Sequence, residues 1–181
     1  MDEALALLNQ PNTLPLGGGT LLSHPTTDSV AVVDLQALGL DSLRVEGNDL
    51  KVGATCTLQA LYESEHCPAA LKTALKLEAP LNIRNTATVA GTLVSSDGRS
   101  PFAAALLAMD AKVTVVSNQT SVISVGEYLL SKPKDLITQV AIPLNVKFAF
   151  EYVAKTPLDK PMVSASVAQW NSGRTRLVLG G

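Results

Sequence analysis

The last seventy residues constrain the fold more than any other stretch of this chain. From Lys112 onward, short apolar segments follow one another at 113–117, 121–125, 136–144, 147–155, 163–170 and 175–179, with Asn171-Ser172-Gly173 as a turn between the last two. Their alternation predicts an antiparallel sheet with helices packed against it. Upstream the pattern is helical. Asp2 is placed to cap a short helix through Asn9, with Leu5 and Leu8 at helical spacing and Pro11-Asn12 as the stop. An extended segment at 14–16 runs into Gly17-Gly18-Gly19-Thr20, and residues 30–35 read as a buried strand.

Segments 43–46 and 50–53 alternate around Gly47-Asn48-Asp49, a hairpin signal. Thr57 caps a helix to about Ser64, and Pro68 opens another with Leu71, Ala74, Leu75 and Leu77 on overlapping faces, ending before Pro80. Residues 83–99 are rich in Gly, Ser and Thr and read as irregular backbone, after which Ser100-Pro101 starts an apolar helix through Met109. The class is therefore α+β: a small N-terminal α/β subdomain, residues 1–48, and a larger subdomain, residues 49–181, with an antiparallel sheet flanked by helices.

Composition narrows the function. Of 181 residues, 46% are hydrophobic and 17% charged, which suits a packed core rather than disorder. Fourteen Lys and Arg against sixteen Asp and Glu, with no basic run, leave little to drive nucleic-acid binding. No apolar stretch reaches the roughly 20 residues that cross a bilayer, and two acids precede the short N-terminal apolar run, the wrong polarity for a signal peptide. A cytoplasmic protein without membrane insertion is expected. Cys56 and Cys67, with no CxxC spacing, build neither a four-cysteine zinc site nor an iron–sulfur cluster and read as two half-buried thiols in a reducing compartment.

Two loops carry the candidate chemistry. Three glycines followed by Thr20 leave no Cβ to block close approach, so backbone N–H groups can converge on an anion. The segment Gly17-Gly18-Gly19-Thr20-Leu21-Leu22 matches neither GxGxxG nor a P-loop, so a phosphate cradle and a structural turn both remain open. The stretch Thr86-Ala87-Thr88-Val89-Ala90-Gly91-Thr92-Leu93, followed by Ser95, Ser96, Asp97 and Gly98, offers hydroxyls and N–H groups suited to a diphosphate, or is an ordinary Ser/Thr loop. A single bound dinucleotide accounts for both. His24 and His66 read as surface or capping histidines, and Glu63, Glu65, Asp41, Glu46 and Asp49 as solvated charges, so no catalytic acid–base pair is visible and no catalytic residue is assigned. Arg84 suits either a phosphate or a helix end.

Taken together, three stretches resemble a known family. They are 14–22 with its triple glycine, then Val33-Asp34-Leu35 with Leu50-Lys51-Val52-Gly53-Ala54-Thr55, then Ile83-Arg84-Asn85-Thr86-Ala87-Thr88-Val89-Ala90-Gly91-Thr92-Leu93 leading to Ala105-Leu106-Leu107-Ala108. In order and spacing they resemble the FAD-binding domain of the molybdenum hydroxylase flavoproteins, as found in xanthine dehydrogenase and in the medium subunit of carbon monoxide dehydrogenase. The resemblance implies a PCMH-like FAD-binding fold with FAD held between the two subdomains. It also implies an electron-transfer role, from the iron–sulfur clusters of a partner, fed by a molybdopterin-binding subunit, through FAD to NAD or another acceptor. Carried over by position, Leu16, Gly17, Gly18, Gly19, Thr20, Leu21 and Leu22 form the first loop, and Thr88, Ala90, Gly91 and Thr92 the second. Ile137 falls where the family packs an apolar side chain on the cofactor.

The sequence departs from the family at three places. Ala90-Gly91-Thr92 stands for the usual Gly-Gly-Asn; Pro101 stands where many relatives have an Asp on the cofactor, with Asp97 as the candidate replacement; and Glu151 or Tyr152 stands where several have a Lys. These departures define an alternative, a degenerate member that keeps the fold, binds FAD weakly or not at all, and serves as an assembly or scaffold module. A free-standing module for another dinucleotide is a third reading, suggested by the triple glycine.

Overall fold

A computed structural model of the chain describes residues 1–23, 29–157 and 159–181. Helix α1, Asp2–Leu8, is capped by Met1, so Asp2 sits inside the first turn rather than at the expected cap, where with Glu3 it still opposes the positive end of the helix dipole. Asn12, in the left-handed region at φ 56°, turns the chain into β1, Thr13–Leu16. Strand β1 pairs in parallel with β2, Ala31–Asp34. The segment at 30–35 is not the buried strand expected: Val30 and Val32 are exposed, while Val33 and Leu35 pack with Ala4 and Leu136. Only one face of this two-stranded ribbon has a helix over it, so alternate side chains face solvent.

The hairpin appears as expected, β3 (Leu43–Glu46) and β4 (Asp49–Gly53), turning at Gly47 with φ 61°. The 48/49 division falls inside this turn, and β3 belongs by pairing to the sheet that β4 enters. That sheet has the order β3-β4-β7-β5-β6, all antiparallel, with β5 at Lys112–Val116, β6 at Thr120–Ser124 and β7 at Leu136–Pro143. Its helices are α2 (Leu58–Glu63), α3 (Ala69–Glu78), α4 (Leu81–Arg84), α5 (Val89–Val94), α6 (Pro101–Ala108) and α7 (Val125–Ser131). Leu50, Val52, Val113, Val140 and Ile142 of the sheet meet Leu58, Leu71, Leu75, Leu93, Phe102 and Leu106 of the helices in one continuous core. Helix α6 is apolar almost all round, and is buried almost all round.

Three helices arise where none was expected, the short α4 and the capped α5 and α7. The stretch 83–99 is not irregular throughout: Thr88 caps α5 by accepting from the Gly91 N–H, and Val89 and Leu93 anchor it in the core. Ser124 ends β6 and caps α7 through the Glu127 N–H, so Val125 opens a helix instead of closing a strand. In both cases a hydroxyl side chain satisfies the first free amides.

The six C-terminal segments also do not form one sheet. Strands β8 (Val146–Val153), β9 (Val163–Trp170) and β10 (Thr175–Gly180) make a separate antiparallel sheet in the order β10-β9-β8. Ser164, Ser166 and Ala168, all buried and small, let β9 lie close under α6. The opposite face is apolar and open, with Val153, Val163 and Leu177 exposed and Leu179 70% exposed.

Asp110, left-handed at φ 59° just beyond α6, ties this sheet to the helix. It accepts from Arg176 at 2.9 Å and Arg174 at 2.8 Å, while Arg176 also donates to the Leu107 carbonyl. Partial burial pushes the Asp110 pKa up, but the two guanidinium groups outweigh it and hold the carboxyl below its usual range. A depressed folded pKa contributes stability above the unfolded value of about 3.9 and loses it as pH falls through the folded value. Asp110→Asn is thus expected to cost about 1 kcal/mol at pH 7, and the gap from wild type in urea unfolding should shrink as pH falls below about 3.9. A gap unchanged with pH would show that the charge is not what matters.

Candidate functional site

The end of β1 delivers the triple glycine to the helical side of the molecule. The Leu16 carbonyl accepts from the Leu35 N–H, which fixes the loop beside the 3-10 turn Gln36–Leu38. Gly17 and Gly18 then run directly against the second loop. A Cβ on Gly18 would overlap the Thr86 carbonyl oxygen and lie 2.7 Å from its carbon, and one on Gly17 would come within 3.0 Å of the Thr88 hydroxyl. Glycine is required here by close approach of backbone to backbone. Gly19, at φ 70°, turns the chain back, and its carbonyl accepts from both the N–H and the hydroxyl of Ser23.

The second loop is held by the strand-to-helix connection at 54–58. Leu58 N–H donates to the Ala87 carbonyl at 2.9 Å and Val89 N–H to the Cys56 carbonyl at 2.8 Å, so Thr57 and Thr88 stand side by side, each capping a helix. Between the two loops lies a cleft of about 190 Å³ lined by Gly17, Gly18, Gln36, Thr55, Thr57, Asn85, Thr86 and Thr88. Among the described residues the lining consists of glycines and uncharged polar residues, with no ionisable side chain.

The expected site residues distribute unevenly. Gly17, Gly18 and Thr88 meet at the cleft, Leu16, Gly19, Thr20 and Leu22 adjoin it along the chain, half-buried, and Leu21 is exposed. Ala90, Gly91 and Thr92 do not present their amides to it. Ala90 N–H donates to the Ala54 carbonyl, Gly91 N–H to the Thr88 hydroxyl, and Thr92 N–H to the Thr88 carbonyl, because these residues are the first turn of α5. Asp97 lies beyond the other end of α5, in an exposed turn that accepts from its own Arg99 N–H, next to Gly98, whose carbonyl holds Gly181. Ile137 is 3% exposed within the main core. Pro101 opens α6, and Tyr152 lines a different, open cavity of about 370 Å³ with residues through Pro157.

Other candidates resolve. Arg84 serves a helix end: it donates to the Ala79 carbonyl at 2.7 Å and to Gln59 at 2.9 Å, with its guanidinium 5.3 Å from the Tyr62 ring. Cys56 and Cys67 are free and fully rather than half-buried. Burial, then Asp41, pushes the Cys56 thiol up to about 11, and burial against the opposing effect of Lys72 pushes Cys67 up to about 12, so both stay neutral thiols at pH 7. His66 is part-exposed against Glu65; His24 lies outside the described residues. Gln36, Thr55 and Asn85 are lining residues that motif reading passes over, since each is a single polar residue at the edge of a recognised segment.

Small, uncharged among the described residues and floored by glycine backbone, the cleft is of the kind that can hold the phosphates of a nucleotide. Ligand pockets usually measure about 300–1,000 Å³, so it suits the diphosphate of a larger molecule rather than the whole of one. The family described as the FAD binding domain in molybdopterin dehydrogenase matches residues 1–145. The chain belongs to that family, which assigns it FAD as cofactor.

Among curated relatives, the uncharacterized protein YgfM of Escherichia coli (strain K12) is 29% identical over 167 residues, 91% of this chain and 64% of its own length. The nicotinate dehydrogenase FAD-subunit of Eubacterium barkeri is 30% identical over 129 residues, 65% of this chain and 43% of its own. Among solved structures, CO dehydrogenase from Oligotropha carboxidovorans superposes with a TM-score of 0.83 at 25% identity, covering 99% of this chain and 71% of that one. The chain thus spans under two-thirds of the length of the curated relatives named, and β8 to β10 lie outside the family match. Among the described residues no helix is long and apolar enough to cross a membrane.

Proposed function

We propose that this chain is the flavin-bearing electron-transfer component of a molybdenum hydroxylase-type dehydrogenase. FAD would lie between the N-terminal unit, residues 1–48, and the sheet unit, residues 49–181, with its diphosphate in the cleft. The observation that carries this reading is the contact of Gly17-Gly18 with Thr86–Thr88, which brings the two family loops to one place. Bound FAD would supply the redox chemistry, accepting and releasing electrons. The chain's own part is to hold and orient it. Among the described residues, the amides of Gly17, Gly18, Gly19 and Thr20 have no partner within the fold and are the donors available for phosphate oxygens.

With no cysteine available as a cluster ligand, the electrons would come from a separate iron–sulfur subunit, supplied in turn by a molybdopterin-binding subunit, and pass to NAD or another acceptor. The neutral, buried thiols suit the cytoplasm. A scaffold role with weak flavin binding is the second reading, favoured by the amides of Ala90 and Gly91 being bonded within the fold.

Titration of the purified chain with FAD, followed by flavin fluorescence and visible absorbance, separates the two. Stoichiometric binding with a yellow protein is expected, and a colourless chain with no saturable binding would leave the scaffold reading standing.

A further inference from the structure

The sheet of β8, β9 and β10 packs one face on α6 and turns the other outward. Ser164, Ser166 and Ala168 point inward and are buried, so the alternate residues of β9 point out, and the strand register carries that outer face across the sheet in rows. Ala149, Val167 and Leu177 form the central row. Val153, Val163, Leu177 and Leu179 of this face are 55–70% exposed. Three strands about 4.8 Å apart and roughly six residues long make a surface of about 15 by 20 Å. A contiguous apolar patch of that size marks an interaction surface.

Charge indicates what would cover it. Lys147 and Glu151 are the charged side chains that these three strands place on the outer face, one step to either side of Ala149. Both are exposed, and neither has an ion pair or hydrogen bond among the described residues. At about 13 Å apart along one strand, they are too distant to pair with each other. A second copy brings them together. A half-turn about an axis lying across the strands, over the central row, sets Lys147 of each copy against Glu151 of the other, with Val167 on Val167 and Leu177 on Leu177. Shifting the axis by one row either way brings like charges together, and turning it along the strands lays Glu151 on Leu179.

We propose that this outer face is a self-complementary interface through which two copies of the chain pair sheet to sheet. Stacked sheets lie about 10 Å apart with strand directions within about 30°, close enough for the two Lys147 and Glu151 pairs to form at the rim. The pair would remove roughly 1,000 Å² from solvent in all, at the lower end for specific association, which fits a reversible dimer. None of the residues lining the cleft lies on β8 to β10, so the inference is independent of the flavin reading.

The test is sedimentation equilibrium of the full chain from about 1 μM to about 500 μM, as wild type, Lys147→Glu, Glu151→Lys, the double variant carrying both, and Leu177→Lys. The wild type is expected to pair with a dissociation constant of about 10–100 μM. Each single reversal should weaken pairing about tenfold, because it turns two attractions into two repulsions, and the double variant should return to within about threefold of wild type. Leu177→Lys should abolish pairing. Melting temperatures at the lowest concentration should agree within about 2 °C, since every altered side chain is exposed. A wild type that stays monomeric throughout would overturn the proposal and assign the face to a different chain. Pairing that survives Leu177→Lys, or single reversals that leave it unchanged or are not rescued in the double variant, would overturn it equally.

Discussion

Replacing Gly18 by alanine is expected to abolish measurable FAD binding and to destabilise the chain by about 1–3 kcal/mol. The added methyl would overlap the Thr86 carbonyl, which is main chain and has no rotamer by which to move aside. Thr86 is itself fixed, its N–H donating to the Ile83 carbonyl and its neighbour Ala87 holding the Leu58 N–H. Relief therefore has to come from separation of the two loops, and with them the walls of the cleft. Gly98→Ala is the matched control, because a Cβ there meets nothing within 4 Å. Titration and thermal melting of the two variants check the prediction. A Gly18→Ala protein with wild-type affinity would show that the contact of the loops is not what builds the site.

The second large effect is expected at Glu78, at the end of α3. Its side chain is 8% exposed and serves three donors: the Ser100 hydroxyl at 2.7 Å, the Phe102 N–H at 3.1 Å and the Lys160 ammonium at 3.2 Å. Two of these lie at the N-terminus of α6, where a carboxylate both satisfies free amides and opposes the helix dipole. Glu78→Ala leaves them buried without an acceptor and is expected to cost about 2–4 kcal/mol, or roughly 5–15 °C in melting temperature. Glu78→Gln keeps an acceptor but not the charge, and should fall between. Loss of less than about 0.5 kcal/mol in the alanine variant, within the range of ordinary surface substitutions, would mean that solvent replaces the carboxylate without penalty.

Much of the architecture was legible because it is encoded locally. The hairpin at Gly47, the caps at Thr57 and Ser100, the stop before Pro80 and each C-terminal strand follow from residue types a few positions apart. Where local reading failed, two local rules competed. Small hydroxyl residues at 83–99 and Ser124 signal loops and caps equally well, and the burial of Val89, Leu93, Val125 and Tyr128 in the core decided for helix. Partition of the strands into two sheets was not legible, since alternation states which side chains share a face and nothing about which strand lies beside which.

The same division holds for the site. The triple glycine and the family stretches, read as sequence, named the cofactor class and the two loops that would hold it, because close backbone approach demands glycine wherever it occurs. Which groups remain available for a ligand was decided by tertiary structure alone. Hydrogen-bonding capacity is finite, and folding spent the amides of Ala90 and Gly91 on Ala54 and Thr88 while leaving those of Gly17 to Thr20 without a partner among the described residues. The Gly91 bond is a local helix cap, but the Ala90 bond depends on a partner dozens of residues away, which no local pattern records.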